Sequence, residues 1–153
     1  MRVAVAQPTT VLGALSDNVA AHAVAVNRAA GDLVVFPEMS LSGYAMDAPT
    51  VALDDPRLRP LIAACRHTGA VALAGAPVHT GTGGRGIGVL AELDARARRI
   101  AAVYDLPVAF AVFAGPTGGG YVQTCGGSGV WDVTGTVVAQ LGPEPGTVAS
   151  AEL

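Results

Sequence analysis

The sequence contains no lysine, so all nine of its basic residues are arginine. A Walker-type phosphate loop needs a lysine after its glycines, so the glycine-rich stretch 81–86 is predicted to be a connection between elements. The net charge of −3 and the pI near 5.4 argue against nucleic-acid binding, which needs a clustered basic surface. The cluster formed by Arg96, Arg98 and Arg99 is interpreted as a solvated helix face.

Cysteine and histidine are also scarce, with two and three residues respectively. Two cysteines do not make a disulfide framework, so Cys65 and Cys125 are expected to be free thiols, the first of them in the core. The histidines and cysteines lack the spacing of metal ligands. The sequence therefore predicts no metal site and no cofactor.

Charged residues make up only 14% of the chain, against about 25% in average proteins, whereas 51% of it is hydrophobic. No apolar run is long enough to span a membrane, and the chain reaches Gln7 and Pro8 too soon for a signal peptide. We therefore expect a cytoplasmic protein without membrane contact.

The excess of apolar residues predicts a homodimer interface. The abundance of alanine, valine and glycine is compatible with a GC-rich bacterial gene.

The first half of the chain has the periodicity of a β-α-β-α-β unit, and one domain over residues 1–153 is expected. Such an order predicts helices packed on a parallel or mixed sheet. The first helix has Ser16 or Asp17 as its cap and Gly31 as its stop. The predicted elements are a strand over 2–7, a helix over 17–30, a strand over 33–36, a helix over 56–68 and a strand over 70–77.

The second half is less regular. Residues 87–93 are predicted to form a strand, and 94–103 fit either a short helix or a strand hairpin. Residues 115–120 form a glycine-rich loop, interpreted as a linker, with a ligand-facing loop as the alternative. Further strands are predicted over 108–113, 129–133 and 136–141.

The segment from Asp32 to Tyr44 is the most informative part of the sequence. An apolar run of strand character ends at Pro37 and is followed by a single carboxylate, Glu38. Small residues then follow, which let backbone pass close to a ligand. Glu38 is therefore the first residue to consider for chemistry.

Three segments resemble motifs of the nitrilase (carbon-nitrogen hydrolase) superfamily. They are Val-Ala-Val-Ala-Gln at 3–7, Phe-Pro-Glu at 36–38 and Gly-Gly-Ser at 126–128. The resemblance implies an α/β fold of nitrilase-like α-β layers, a half or shortened α-β-β-α sandwich with a mixed sheet and helices on one face. Family members use a glutamate base, a lysine and a cysteine nucleophile. Glu38 matches the glutamate, whereas the lysine and the nucleophile segment are missing, so the resemblance implies a shortened member that lacks the central region.

Five residues are candidates for the site. Glu38 and Cys125 are the catalytic candidates, Cys125 because it directly precedes the Gly-Gly-Ser segment, although a structural thiol is the alternative. Tyr44, His79 and Arg85 are candidates for substrate binding, with core packing or solvent exposure as the alternatives.

Three functions remain open at this point. The protein could have lost the family's hydrolysis and kept a small-molecule pocket around Glu38. It could be an enzyme on a small amide, nitrile or related metabolite, with Cys125, His79 or Arg85 as the new partner of Glu38. It could also be an interaction module that uses its exposed sheet to bind a partner protein, possibly one that supplies the missing half. Apart from these functions, a shortened sandwich is expected to expose the inner face of one sheet, on which a second copy would pair as a homodimer.

Overall fold

The structure is a computed structural model that describes residues 1–45, 47–52, 54–78, 93–120 and 122–153. A short 3-10 turn, Pro56–Leu58, directly precedes the second helix. In chain order the helices and strands are β1 (Arg2–Gln7), α1 (Leu15–Ala29), β2 (Leu33–Val35), α2 (Arg59–Thr68), β3 (Val71–Leu73), α3 (Leu93–Tyr104), β4 (Val108–Phe110), β5 (Gly129–Trp131), β6 (Val137–Gln140) and β7 (Thr147–Glu152).

The first sheet has the strand order β3-β2-β1-β7. Strands β1, β2 and β3 are parallel, and β7 runs antiparallel to β1, so the sheet is mixed as predicted. Strand β1 is central and buried on both faces. Its Ala4 and Ala6 pack against the helices, whereas Val3 and Val5 point to the opposite face. This alternation is the period of two that a strand imposes on its side chains.

Helices α1 and α2 cover the outer face of the first sheet, where residues such as Val19, Val26 and Leu61 join the core. Helix α1 begins two residues before its predicted start, so the expected caps Ser16 and Asp17 lie inside its first turn. Its N-cap position, Ala14, makes no side-chain cap hydrogen bond. The tight packing of an alanine- and valine-rich face therefore stabilises this helix more than its capping does.

The second sheet is antiparallel, with the order β4-β5-β6, and α3 packs on its outer face. The fully buried Trp131 contacts Ala97 and Ala101 of α3. A Cβ at Gly129 would lie 2.8 Å from the Trp131 ring, so only glycine leaves room for the indole there. On the other face, Val130 packs against the first sheet.

The two sheets pack face to face within one chain, so all four α-β-β-α layers are present. Val130 with Ala109 and Ala139 covers the inner face of β1. This removes the premise that a second copy is needed to rebuild the layers. Only the inner face of β3 stays uncovered by the described residues, with Val71 63% and Leu73 61% exposed.

The remaining differences from the sequence predictions are local. Helix α3 confirms the helical alternative for residues 94–103, and β7 is a strand that the sequence analysis missed. The strand predicted over 87–93 lies outside the described residues except for Leu93, which belongs to α3.

No helix among the described segments is both long and apolar enough to cross a membrane. The cytoplasmic location stays a prediction.

Candidate functional site

Glu38 lies at the carboxyl edge of the parallel strands, three residues after the end of β2. This edge is where open α/β sheets place their ligand sites. Its side chain is exposed, and within the described part of the chain no hydrogen bond or ion pair to the carboxylate occurs. The carboxylate is therefore free to accept a hydrogen bond from a ligand.

The backbone around Glu38 is a succession of tight turns. The amide of Ser40 donates to the carbonyl of Pro37 at 3.1 Å, and the amide of Ser42 to that of Met39 at 3.0 Å. Met39 has a φ of 58°, a left-handed conformation that is uncommon for a residue with a side chain. Strain of this kind persists only where the surroundings enforce it, and it concentrates at functional sites.

Gly75, two residues beyond β3, closes the turn from one side. The amide of Leu41 donates to the Gly75 carbonyl at 3.0 Å. A Cβ at Gly75 would collide with the backbone nitrogen of Met39 and would lie 3.2 Å from Cα of Glu38. The glycine is therefore needed for the approach of this segment to Glu38.

His22 of α1 supports the turn from the other side. Its Nε2 lies 2.8 Å from Oγ of Ser40 and its Nδ1 lies 2.7 Å from the carbonyl oxygen of Asn18. The ring stacks on Phe36 with 4.2 Å between centroids. Burial lowers the pKa of His22 to about 4, and the bond to the Asn18 carbonyl opposes this shift only in part. The imidazole is therefore neutral at physiological pH.

Small residues of the turn have partners within the protein. The Ser42 hydroxyl donates to the carbonyl of Gly43 at 2.8 Å. Gly43 has a φ of 63°, and a Cβ there would lie 2.6 Å from the carbonyl oxygen of Thr117. The small size of these residues therefore lets the turn pack against the rest of the chain. The sequence alone did not predict these contacts.

Tyr44 ends the turn and connects it to the loop after β4. Its amide donates to the Thr117 carbonyl at 2.8 Å, and its half-buried ring lies 5.3 Å from that of Phe113 in a tilted arrangement. The Thr117 hydroxyl is buried, and it has no hydrogen-bond partner among the described residues. Residues 115–120, predicted to be a linker, thus include a segment packed against the Glu38 turn.

Cys125 lies on the return of the same loop. It forms an isolated bridge with Ala114, and the amide of Gly126 donates to the carbonyl of Phe113 at 3.0 Å. The residue is exposed, and its thiol lies 3.5 Å from the carbonyl oxygen of Gly126. The loop brings Cys125 to the same region as Tyr44, but no hydrogen bond joins it to Glu38 within the described residues.

The Gly-Gly-Ser segment is held by Gln7 at the end of β1. The Gln7 side-chain oxygen accepts from the amide of Ser128 at 3.0 Å, and its nitrogen donates to the carbonyls of Gly142 and Glu144, both at 3.1 Å. The Ser128 hydroxyl accepts from the amide of Val112 at 2.9 Å. Two segments that resemble family motifs therefore hold the two sheets together at this edge.

His79 and Arg85, the other two candidates, lie outside the described residues. The sequence analysis missed His22, Asn18 and Gln7 as supports of the site. The available signal was a pair of polar residues four apart, Asn18 and His22, on the apolar face of a helix of alanine and valine.

A separate groove of about 190 Å³ lies beside α1 and includes Thr9, Val24 and Arg28 in its lining. Glu38 is not among the lining residues. The groove is therefore distinct from the turn that carries the carboxylate.

The sequence model of the carbon-nitrogen hydrolase family matches residues 2–105. No curated protein matches the chain in sequence. Among solved structures, XC1258 from Xanthomonas campestris, a CN-hydrolase superfamily protein with an arsenic adduct in its active site, is similar with a TM-score of 0.80 and 15% identity, over 99% of this chain and 89% of that one.

An amidase from Nesterenkonia sp. AN1 is also similar. One mutant, which shows Michael addition of acrylamide at the active-site cysteine, has a TM-score of 0.73 and 16% identity, over 100% of this chain and 93% of that one. Another structure of this amidase has a TM-score of 0.73 and 17% identity, over 100% and 92%. At these identities the likeness shows the fold, and the layered α/β architecture matches that of these proteins.

Proposed function

Because this chain belongs to the carbon-nitrogen hydrolase family, we propose that it binds a small amide at the Glu38 turn and does not catalyse the family's hydrolysis. One observation carries the proposal. The Glu38 carboxylate is exposed and without a partner among the described residues, yet its turn is fixed by Gly75 on one side and by His22 on the other. A surface carboxylate without a ligand does not need such support.

The chemistry of hydrolysis argues for binding without turnover. Cleavage of an amide needs a nucleophile, a base and a group that stabilises the oxyanion. The chain has no lysine to take the last role, and Cys125 has no base hydrogen-bonded to its thiol among the described residues. Loss of one member of such a set already lowers the rate by orders of magnitude.

An amide is the ligand class that fits a lone carboxylate. Its NH₂ group donates to a carboxylate oxygen, whereas a nitrile has no N–H to donate. A mutant of the similar amidase shows Michael addition of acrylamide, itself a primary amide, at the active-site cysteine, so primary amides are the first probe.

The test is an NMR titration of ¹⁵N-labelled protein with acetamide and, for comparison, acetonitrile. We expect acetamide to shift the amide signals of residues 37–44 in a saturable way, and Glu38→Gln to weaken binding by at least about tenfold, since it removes a charge-assisted hydrogen bond. Asp54→Asn, which neutralises another exposed carboxylate, is the matched control. Absence of saturable shifts, or equal binding by Glu38→Gln, would refute the proposal.

An active enzyme that uses Cys125 is the second candidate. One observation favours it. The loop that carries Cys125 also carries Thr117, whose carbonyl accepts the hydrogen bond from the Tyr44 amide, so Cys125 belongs to a loop that contacts the Glu38 turn. Glu38 would then act as general base, and His79 or Arg85 would supply the positive partner. Release of ammonia from acetamide, which amide hydrolysis requires, tests this candidate. Release that is lost in Cys125→Ser and in Glu38→Gln but persists in Cys65→Ser would support it and would overturn the non-catalytic proposal, whereas no release from the unmodified protein would exclude it.

We also propose a homodimer, on a narrower surface than the sequence analysis expected. The support is the inner face of β3, where Val71 and Leu73 are exposed although their neighbours in β2 are half-buried. Light scattering should show a dimer that the double variant Val71→Thr and Leu73→Gln converts to a monomer. The control Val122→Thr changes an exposed apolar residue elsewhere, 87% accessible. A monodisperse monomer for the unmodified protein would exclude the dimer.

A further inference from the structure

We propose that His22 and Ser40 form a positioning pair that holds Glu38 in its orientation toward a ligand, an inference that rests on the proposed function. The imidazole contacts the chain on both sides of Glu38. It stacks on Phe36, two residues before the carboxylate, and pairs with Ser40, two residues after it. One side chain of α1 therefore brackets the candidate ligand-binding residue.

The direction of the hydrogen bonds follows from their acceptors. A carbonyl oxygen can only accept, so Nδ1 of His22, 2.7 Å from the Asn18 carbonyl, carries the proton. Nε2 then has a lone pair, to which the Ser40 hydroxyl donates over 2.8 Å. The arrangement permits one tautomer, one ring orientation and one direction of the hydroxyl.

Asn18 extends the same support by one helical turn. Its side-chain nitrogen donates to the carbonyl of Leu41 at 3.1 Å, and its side-chain oxygen accepts from the amide of Val11 at 2.7 Å. Helix α1 thus binds two consecutive residues of the turn, Ser40 and Leu41. Two anchors on one rigid helix fix the rotation of the turn as well as its distance from the helix.

Simple packing does not account for this choice of residues. An apolar side chain at position 22 would fill the space beside Phe36 without desolvating an imidazole. A buried hydrogen bond is directional, whereas apolar contacts tolerate rotation. Met39, which is next to Glu38 and has the unusual φ of 58°, requires a constraint of this directional kind.

The experiment compares Ser40→Ala with Thr68→Ala. Both remove one hydrogen-bonded hydroxyl, but the Thr68 hydroxyl bonds to the Ala64 carbonyl at 2.9 Å, at the end of α2 and outside the turn. Two readouts are taken: the ¹⁵N relaxation order parameter of the Glu38 amide without ligand, and the affinity for acetamide. In Ser40→Ala we expect the order parameter to fall well below the value of about 0.85 of rigid backbone, and acetamide to bind about fivefold more weakly. Thr68→Ala should change neither.

The tautomer of His22 provides a test that needs no variant. The ¹⁵N spectrum of the imidazole should show a protonated Nδ1 and an unprotonated Nε2 at neutral pH. An Nε2-protonated ring, or an unchanged order parameter of Glu38 in Ser40→Ala, would overturn the positioning role. If the unmodified protein does not bind acetamide, the proposed function fails, whereas the tautomer and the order parameter still decide whether His22 and Ser40 position Glu38.

Discussion

Acidification should destabilise this protein through His22. Burial keeps the imidazole neutral in the folded state, with a pKa of about 4 against 6.5 for the unperturbed group. Because the folded-state pKa is depressed, the unfolded chain binds the proton more tightly. The contribution of the neutral imidazole to the free energy of unfolding is therefore present in full above about pH 6.5. It is lost progressively as the pH falls toward about 4.

The magnitude follows from the size of the shift. A difference of about 2.5 pKa units corresponds to about 3 kcal/mol in full, of which about 2 kcal/mol is lost between about pH 7.5 and pH 5. This is a large fraction of the 5–15 kcal/mol that stabilises typical domains, as an order of magnitude. The loss should therefore be measurable well before acid unfolding.

The assay is urea unfolding followed by the fluorescence of Trp131, the single and fully buried tryptophan. The free energy of unfolding is compared at several pH values from about 7.5 to 5 for the unmodified protein, His22→Gln and His67→Gln. His67 is exposed on α2 and provides the control. We expect His67→Gln to keep the pH dependence and His22→Gln, although less stable at neutral pH, to lose most of it. Equal pH slopes in all three proteins would refute the reasoning.

Three further substitutions test the packing around the site by urea unfolding. Gly75→Ala should destabilise by at least about 2 kcal/mol because its Cβ collides with Met39, whereas Gly69→Ala, with a φ of 76° but nothing within 4 Å, should cost only about 1 kcal/mol. Gln7→Ala should cost about 3 kcal/mol because its buried backbone partners lose their hydrogen bonds, and a loss below about 1 kcal/mol would contradict that network. Thr117→Val should be neutral or stabilising by up to about 1 kcal/mol, since the buried hydroxyl has no partner in the described part of the chain, and clear destabilisation would show that it has one.

The periodic elements were predictable because their signal is local. The strand at 2–7 and the helix that ends before Gly69 depend on apolar spacing and on a glycine stop, and the structure has both. Helix boundaries were less predictable. Helix α1 ends at Ala29, and its C-cap residue Ala30, one residue before the expected glycine, has a left-handed conformation with a φ of 45°. A non-glycine residue in this conformation depends on tertiary contacts, which the sequence does not display.

Strand β7 was missed because its identity depends on a distant partner. Its inward residues include Ala149 and Ala151, whose small side chains give little hydrophobic contrast with their neighbours. It becomes a strand by pairing along the whole length of β1, 140 to 150 positions earlier in the chain, with Gln7 opposite Thr147 and Arg2 opposite Glu152. A pattern that reports only local hydrophobicity has no access to such pairing.

In the candidate site, too, local features were predictable from the sequence and contacts between distant residues were not. The position of Glu38 after a strand was predictable from its motif, because an apolar run, a proline and a carboxylate are adjacent in sequence. Its support by His22 was not, because the hydrogen bond to Ser40 spans 18 residues and depends on how α1 packs. The small residues after Glu38 were expected to leave room for a ligand. In the structure they also pack against other parts of the chain, as Gly43 does against Thr117.

The fold accounts for two of the three polar residues at this edge of the sheets, Gln7 and Ser128, but not for Glu38. Gln7 and Ser128 are fully buried, and the fold explains both, since their hydrogen bonds hold backbone groups that would otherwise be unpaired. Resemblance to a family motif at these positions is therefore evidence for the scaffold and not for catalysis. Glu38 differs, because no contact to the described residues engages its carboxylate, although the turn that carries it includes a strained residue and is held from two sides. The fold explains the turn but not the acid, so the identity of residue 38 is the feature that a ligand has to explain.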